Sequence, residues 1–338
     1  MIFEHVDYNY IHSELLRSAN ADKEERLLVC IDEIHNFPEI TKIIKYLIDH
    51  YSVKFIITGS SNFYLRNLFP ESLSGRKFLY VLPVLSFSEF LHFNEKLDNY
   101  DLEKNIETKL KRRSKYEIIK QRELYDMYLE YGGFPEVVLS RDEETKSMII
   151  KNIFASFFEK DIKVFSELKH IRELRDLILL LAPRNGNILD ITKISSELGI
   201  NRVKLYDYLE FLQGMFFMQL LPKFSHSVDR SVAGGKKVYF SDTGILNQIA
   251  KVTSGQLLET AVANQLNYYG YLSFYNKRNT AEIDFILDKR IAFEVKRKAV
   301  DADMRKLKKL SDSLNLQKAY VLSLEYVELD GVGYPYFL

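Results

Sequence analysis

Residues 282–296 read Glu282-Ile283-Asp284-Phe285-Ile286-Leu287-Asp288-Lys289-Arg290-Ile291-Ala292-Phe293-Glu294-Val295-Lys296. The stretch 282–287 alternates polar and apolar side chains, the period of a half-buried strand. Asp288-Lys289-Arg290 makes a turn, and 291–296 makes a second strand. Glu294 and Lys296 are two apart, so they share a face. A hairpin sets Asp284 beside them. Working outward, 257–268 reads as an amphipathic helix carrying Glu259, 271–275 as a strand, and 319–324 as the last strand of the core. The expectation is an α/β unit in which Glu259, Asp284, Glu294 and Lys296 converge. Asp284 and Glu294, with Glu259, offer hard oxygen ligands to one or two Mg²⁺ or Mn²⁺ ions. A metal held there lowers the pKa of water and stabilises developing negative charge. Lys296 orients the nucleophile or steadies the charged transition state. A solvent-facing hairpin is the plainer reading of Asp…Glu-x-Lys alone. The helical Glu259 and the basic stretch that follows weigh against it.

Together these residues resemble the PD-(D/E)XK nuclease core, which implies DNA as partner. Between 289 and 309 stand nine basic residues against three acidic ones. This segment is either a phosphate-facing patch, with salt-sensitive binding, or a solvated helix.

At the other end, Leu27-Leu28-Val29-Cys30-Ile31 is a continuous apolar run followed by Asp32 and Glu33. Such a run suits a parallel strand buried on both faces. Its C-terminal end is where α/β sheets bind ligands. A helix is expected over 39–50 and a strand over 53–58, closing on Gly59-Ser60-Ser61-Asn62. A third strand is expected over 78–82, after Ser74-Gly75-Arg76. Asp-Glu alone is usually a solvated turn, and Arg76 alone a surface charge. In this order and spacing, with Ser86-Phe87-Ser88-Glu89-Phe90 following Pro83, the segments resemble the Walker B and sensor regions of AAA-type ATPases. The resemblance implies that Asp32 orients Mg²⁺ and Glu33 polarises the attacking water. It also implies that Asn62 or Ser61 senses the γ-phosphate, and that Arg76 serves as an arginine finger on a neighbouring subunit of a homo-oligomer. The 338 residues contain no G-x-x-x-x-G-K-[ST] sequence. Gly234-Gly235-Lys236-Lys237 has the wrong spacing and lacks Ser or Thr. The expectation is a member shortened at its N-terminus that binds ATP/Mg weakly or not at all.

The middle of the chain reads as helical. Residues 100–131 are highly charged, and Lys109-Leu110-Lys111-Arg112-Arg113-Ser114-Lys115 reads as a solvated face. Tyr131-Gly132-Gly133-Phe134-Pro135-Glu136 is a sharp break and resembles a junction of the same family. Helical spacing resumes over 144–181. A helix over 191–198, a turn at Gly199-Ile200-Asn201 and a helix over 202–212 precede strands over 215–221 and 237–240. This is a winged-helix rhythm. In a DNA-binding form, Arg202, Lys204 and Asn201 on the second helix touch phosphates or bases. Asp207 and Glu210 follow them, so packing against protein fits equally.

The fold class expected is α/β, with four parts. These are an incomplete P-loop AAA-type parallel sheet (1–95), a helical lid or linker (96–160), a winged helix (161–240) and a PD-(D/E)XK-like core (241–338). The whole resembles a prokaryotic and archaeal AAA-type ATPase family fused to a C-terminal domain of unknown function. That implies an ATP-dependent protein acting on DNA. A non-catalytic DNA- or protein-binding module and an inactive gene remnant are the alternatives. Lys+Arg and Asp+Glu are both 47, which excludes an overall cationic nucleic-acid coat. One cysteine, Cys30, excludes a disulfide framework and a thiolate zinc cluster. No apolar run approaches the ~20 residues that span a bilayer, and no signal-peptide pattern is present. A cytoplasmic protein without membrane partners is the expectation.

Overall fold

The computed structural model describes residues 7–22, 24–34, 37, 40–59, 77–96, 105–110, 114–158, 168–227, 231, 234–277 and 280–338. The chain divides into two compact units, 1–82 with 214–216, and 83–213 with 217–338.

In the first unit, α1 (Tyr8–Ala19) starts at Asp7, whose carboxylate accepts from the Asn9 N–H. It stops at Asn20, in the left-handed conformation. Strands β1 (Leu28–Ile31) and β2 (Lys54–Ile57) run parallel, joined through α2 (Ile40–Tyr51). Parallel pairing requires such a crossover. Ile11, Leu16, Ile40, Ile43, Ile44 and Leu47 form a buried core, and Val29, Ile31, Phe55 and Ile57 pack against it. On the opposite face of the strands the side chains are exposed. Leu28 is 57% exposed, Ile56 51% exposed, and Cys30 exposed. Burial of β1 on both faces, expected from its unbroken apolar run, is therefore not found among the described residues, where α1 and α2 cover one side. The strand expected over 78–82 is also absent. These residues are irregular, and Phe78, Tyr80 and Leu82 are almost fully exposed. A strand needs a neighbour for its backbone groups, and this segment has none among the described residues.

The second unit begins with α3 (Phe87–Phe93) and α4 (Ile106–Lys109), then α5 (Lys115–Tyr131). Reciprocal capping boxes, Ser86 with Glu89 and Ser114 with Glu117, start α3 and α5. Lys109, expected on a solvated face, is buried, and 111–113 lie outside the described residues. The break after Tyr131 is real: α5 ends at Gly132 with φ +79°, and α6 (Pro135–Leu139) restarts at Pro135. A Cβ on Gly132 would lie 2.2 Å from an Asp242 carboxylate oxygen, so glycine is required there both for φ and for space. Helices α7 (Glu143–Ser156) and α8 (Leu168–Leu181) follow.

Next come α9 (Ile191–Leu198), a left-handed C-cap at Gly199, α10 (Arg202–Gly214), and the antiparallel hairpin of β3 (Met218–Pro222) and β4 (Lys236–Phe240). Asp242 caps α11 (Thr243–Ala250), and Thr253 with Gln256 forms a capping box for α12 (Ser254–Leu266).

The chain ends in a five-stranded sheet ordered β5 (Leu272–Lys277), β6 (Ala281–Leu287), β7 (Ile291–Lys296), β8 (Lys318–Ser323), β9 (Val332–Gly333). The first three strands are antiparallel. Strand β8 joins β7 in parallel after the crossover helix α13 (Asp301–Ser313), and β9 adds in parallel outside β8. The 319–324 segment is thus not the last strand. The two-residue β9 is too short to show a period in sequence.

Candidate functional site

In the first unit, Asp32 and Glu33 follow directly on β1. The Thr58 hydroxyl, at the end of β2, donates to Asp32 Oδ1. It also accepts from the Glu33 backbone N–H at 3.2 Å, and the Thr58 carbonyl accepts from the Ile34 N–H at 3.2 Å. Glu33 takes a left-handed φ of +51°. Thr58, inside the sequence-expected strand, thus pins the acidic turn. Asn62 and Arg76 lie outside the described residues.

In the second unit, the β6–β7 register pairs Phe285 with Phe293. One step further, Asp284 stands opposite Glu294. Asp284 Oδ2 accepts from the Val295 N–H at 2.8 Å, and Lys296 Nζ donates to Glu294 Oε1 at 2.7 Å. Glu294 Oε2 is buried without a hydrogen-bond partner. Glu259, on α12, accepts from the Tyr239 hydroxyl, and its Oε1 lies 3.6 Å from Lys237 Nζ. Lys237 also bridges Glu282 at 2.7 Å.

Burial dominates the electrostatics. It raises Glu259 to about 7, helped by the negative charge of Asp284 and opposed by Lys237 and Tyr239. It raises Glu294 to about 7, again helped by Asp284 and opposed by Lys296 and Lys306. Asp284 is raised by burial against the pull of the Val295 N–H and both lysines. Such like-charge crowding is relieved by a proton or a cation.

The structure therefore brings Asp284, Glu294 and Lys296 together and turns Glu259 toward Tyr239 and Lys237. Among the described residues no three His, Cys, Asp or Glu side chains gather closely enough to hold a metal ion. Glu259 accepts from Tyr239 and faces Lys237, while Asp284 lies near enough to help raise it. Asp284 and Glu294 alone remain suited to a hard cation, with the orphaned Glu294 Oε2 as the free donor. Lys237, Tyr239 and Glu282 escaped the sequence reading. The available signal was that Lys237 and Tyr239 are two apart on a strand, like Glu294 and Lys296.

On α10, Asn201 caps its own helix by accepting from the Lys204 N–H at 2.8 Å. Lys204 Nζ is held 2.5 Å from Glu173, which also accepts from Tyr208. The exposed side of α10 carries Arg202, Val203, Tyr206, Asp207 and Glu210. In the basic segment, Arg290, Arg297 and Arg305 are engaged by Gln317, Glu325 and Asp301. Lys298, Lys306, Lys308 and Lys309 are exposed.

No helix among the described residues is long and apolar enough to cross a membrane. Residues 3–91 match the family described as AAA domain. Residues 122–256 match Domain of unknown function (DUF8612), and residues 254–330 match Domain of unknown function (DUF4143). An uncharacterized protein of Methanocaldococcus jannaschii, MJ1544, is 29% identical over 81% of this chain and 61% of its own length. An uncharacterized protein of Haemophilus influenzae is 28% identical over 99% of this chain and 83% of its own. Uncharacterized protein Rv2008c of Mycobacterium tuberculosis is 20% identical over 87% of this chain and 64% of its own. The chain thus spans under two thirds of the Methanocaldococcus and Mycobacterium relatives. No solved structure matches it. The chain is thus similar to an AAA domain over 3–91 and, after it, to two domains of unknown function.

Proposed function

We propose that this chain is an AAA-type ATPase-family protein whose C-terminal sheet acts on DNA phosphodiesters in the manner of PD-(D/E)XK nucleases. The observation that carries the reading is the opposition of Asp284 and Glu294 on neighbouring strands, with Lys296 gripping Glu294 and Glu294 Oε2 left unpartnered. Asp284 and Glu294 would hold Mg²⁺ or Mn²⁺, which when bound supplies an acidified water and charge stabilisation. Lys296 orients Glu294 and presents positive charge beside the scissile phosphate. Lys298, Lys306, Lys308 and Lys309 bind the DNA backbone without reading its sequence. In the first unit, Asp32 and Glu33 are the residues that would serve Mg-ATP, with Thr58 fixing Asp32. Calorimetry with Mg-ATP is expected to show weak binding or none, because no phosphate-cradling P-loop sequence occurs in the 338 residues.

A second reading is favoured by α10. Lys204 is committed to Glu173, and the exposed side mixes Val203 and Tyr206 with acidic residues. Such a face suits a protein better than the major groove. On this reading the chain is a non-catalytic binding module.

Incubation of the purified protein with DNA and Mn²⁺ or Mg²⁺ separates the two. Cleavage is expected, falling roughly a hundredfold or more in Asp284→Asn and in Lys296→Ala. No cleavage, or cleavage that these substitutions leave unchanged, sinks the nuclease reading.

A further inference from the structure

Residues 84–86 follow directly on the first unit, whose main segment ends at Leu82. They are held from several sides. The Tyr268 hydroxyl, just past α12, donates to the Val84 carbonyl at 2.6 Å. The Leu85 N–H donates to the Gly133 carbonyl at 2.9 Å, and the Leu85 carbonyl accepts from the Tyr128 hydroxyl at 3.0 Å. Ser86 then caps α3. Residues 78–82, just before, are irregular and exposed. The linker thus passes from an irregular stretch to a clamped one within a few residues.

Gly133 and Tyr128 each face two ways. While its carbonyl serves Leu85, the Gly133 N–H donates to Asp242 Oδ2 at 2.8 Å. While its hydroxyl serves Leu85, the Tyr128 carbonyl accepts from the Thr243 hydroxyl at 3.0 Å. Two residues thereby join Leu85 to the start of α11 through four hydrogen bonds. Packing leaves them little play. A Cβ on Gly133 would sit 2.3 Å from the Leu85 carbonyl oxygen, and the buried Tyr128 ring lies among Phe87, Phe90 and Tyr125. Breaking one of these bonds strands a buried partner, so the set yields as a unit. Asp242 stands three residues past Tyr239, whose hydroxyl holds Glu259. The Asn264 amide, on α12, donates to the Phe240 carbonyl at 3.1 Å. The corner that receives Gly133 and Tyr128 therefore also sets where Glu259 stands.

We propose that Gly133 and Tyr128 form a clasp that couples the linker leaving the first unit to the corner between β4 and α11. A pull or release at Val84 and Leu85 then shifts that corner, and with it Tyr239 and Glu259. The clasp is a conformational device by which the first unit acts on the C-terminal site. That use rests on the nuclease reading above, whereas the coupling itself does not.

Coupling is reciprocal, so the test runs in both directions. Its readout is hydrogen–deuterium exchange of the full chain, resolved to single amides by mass spectrometry with electron-transfer fragmentation. Tyr268→Phe, at an exposed side chain, deletes the Val84 hydrogen bond. It is expected to speed exchange of the Ile245 and Leu246 amides, both bonded to Asp242, roughly tenfold. Thr243→Val deletes the bond to Tyr128 and is expected to speed exchange of the Leu85 amide by a like factor. The amides of β6 and β7 keep their wild-type rates in both variants. If Tyr268→Phe leaves Ile245 and Leu246 at their wild-type rates, or Thr243→Val leaves Leu85 at its own, the clasp is refuted. Faster exchange in β6 and β7 as well marks a general loosening and refutes it too. If Thr243→Val does not fold, Tyr268→Phe decides by itself. Coupled exchange in a protein that cuts no DNA leaves the clasp standing and sinks the nuclease reading. Uncoupled exchange in a protein that cuts DNA does the reverse.

Discussion

Asp242 is wholly buried at the start of α11, where its carboxylate accepts from the Gly133 and Ile245 N–H groups, each at 2.8 Å. Burial pushes it up to about 6 in spite of these donors. A carboxyl whose folded pKa lies above its unfolded one favours folding when protonated. Its contribution is full below the ordinary carboxylate range and is lost as pH rises through about 6, by about 3 kcal/mol. Asp242→Asn is expected to flatten the stability profile between about pH 4 and 6.5. At the acid end of that range it is also expected to cost about 1–3 kcal/mol, since an amide presents one acceptor to two donors, and the cost should shrink as pH rises through about 6. Urea unfolding across that pH range checks both; a slope unchanged in the variant would refute the assignment. Nothing in the sequence singles out Asp242, because its partners at Gly133 and its own helix meet only in the folded chain. Asp284 and Glu294 were legible because a ten-residue hairpin spacing places them together by local geometry alone. Lys237 was not, since β4 and β6 are brought together by tertiary packing that no local period encodes.

Among elements, α5 and α11 approach more closely than side chains would permit. A Cβ on Gly244 would sit 2.2 Å from the Tyr131 carbonyl oxygen. Gly244→Ala is expected to cost about 3 kcal/mol, the upper part of the range for overpacking, and to lower the melting temperature without altering Mn²⁺ binding. A melting temperature within a degree of wild type would show that the helices can part freely. Most strands, and helices such as α2, α9, α10 and α12, were readable from period and caps, as with Gly199 closing α9, whereas α1, α3 and α11 were not read. The segment 78–82 misled because apolar β-formers describe a strand only when a neighbour is there to pair. The 27–31 run misled similarly: its composition spoke of two covered faces, and the described fold covers one. The functional sense of α10 turned on Glu173, 31 residues before Lys204 in the chain, and so was not readable from the helix itself.

For the whole molecule, the division at residue 82 makes a direct prediction. A fragment of residues 83–338 contains the complete five-stranded sheet, β4 and all the carboxylates. It is expected to fold cooperatively and to bind the same number of Mn²⁺ ions as the full chain. A fragment that is unfolded by circular dichroism would mean that the second unit depends on the first. The balanced charge of the full chain also resolves into parts at this scale, since the basic excess is concentrated on the turn, strand end and helix spanning 289–309.

The exposed face of the β1–β2 sheet has a practical meaning. Cys30, exposed there two residues before Asp32, is the chain's one sulfhydryl. A maleimide dye added to unmodified protein therefore attaches at a single known point beside the acidic turn. No cysteine has to be removed or introduced, so the native sequence already carries its own attachment point for a spectroscopic reporter of whatever approaches Asp32 and Glu33.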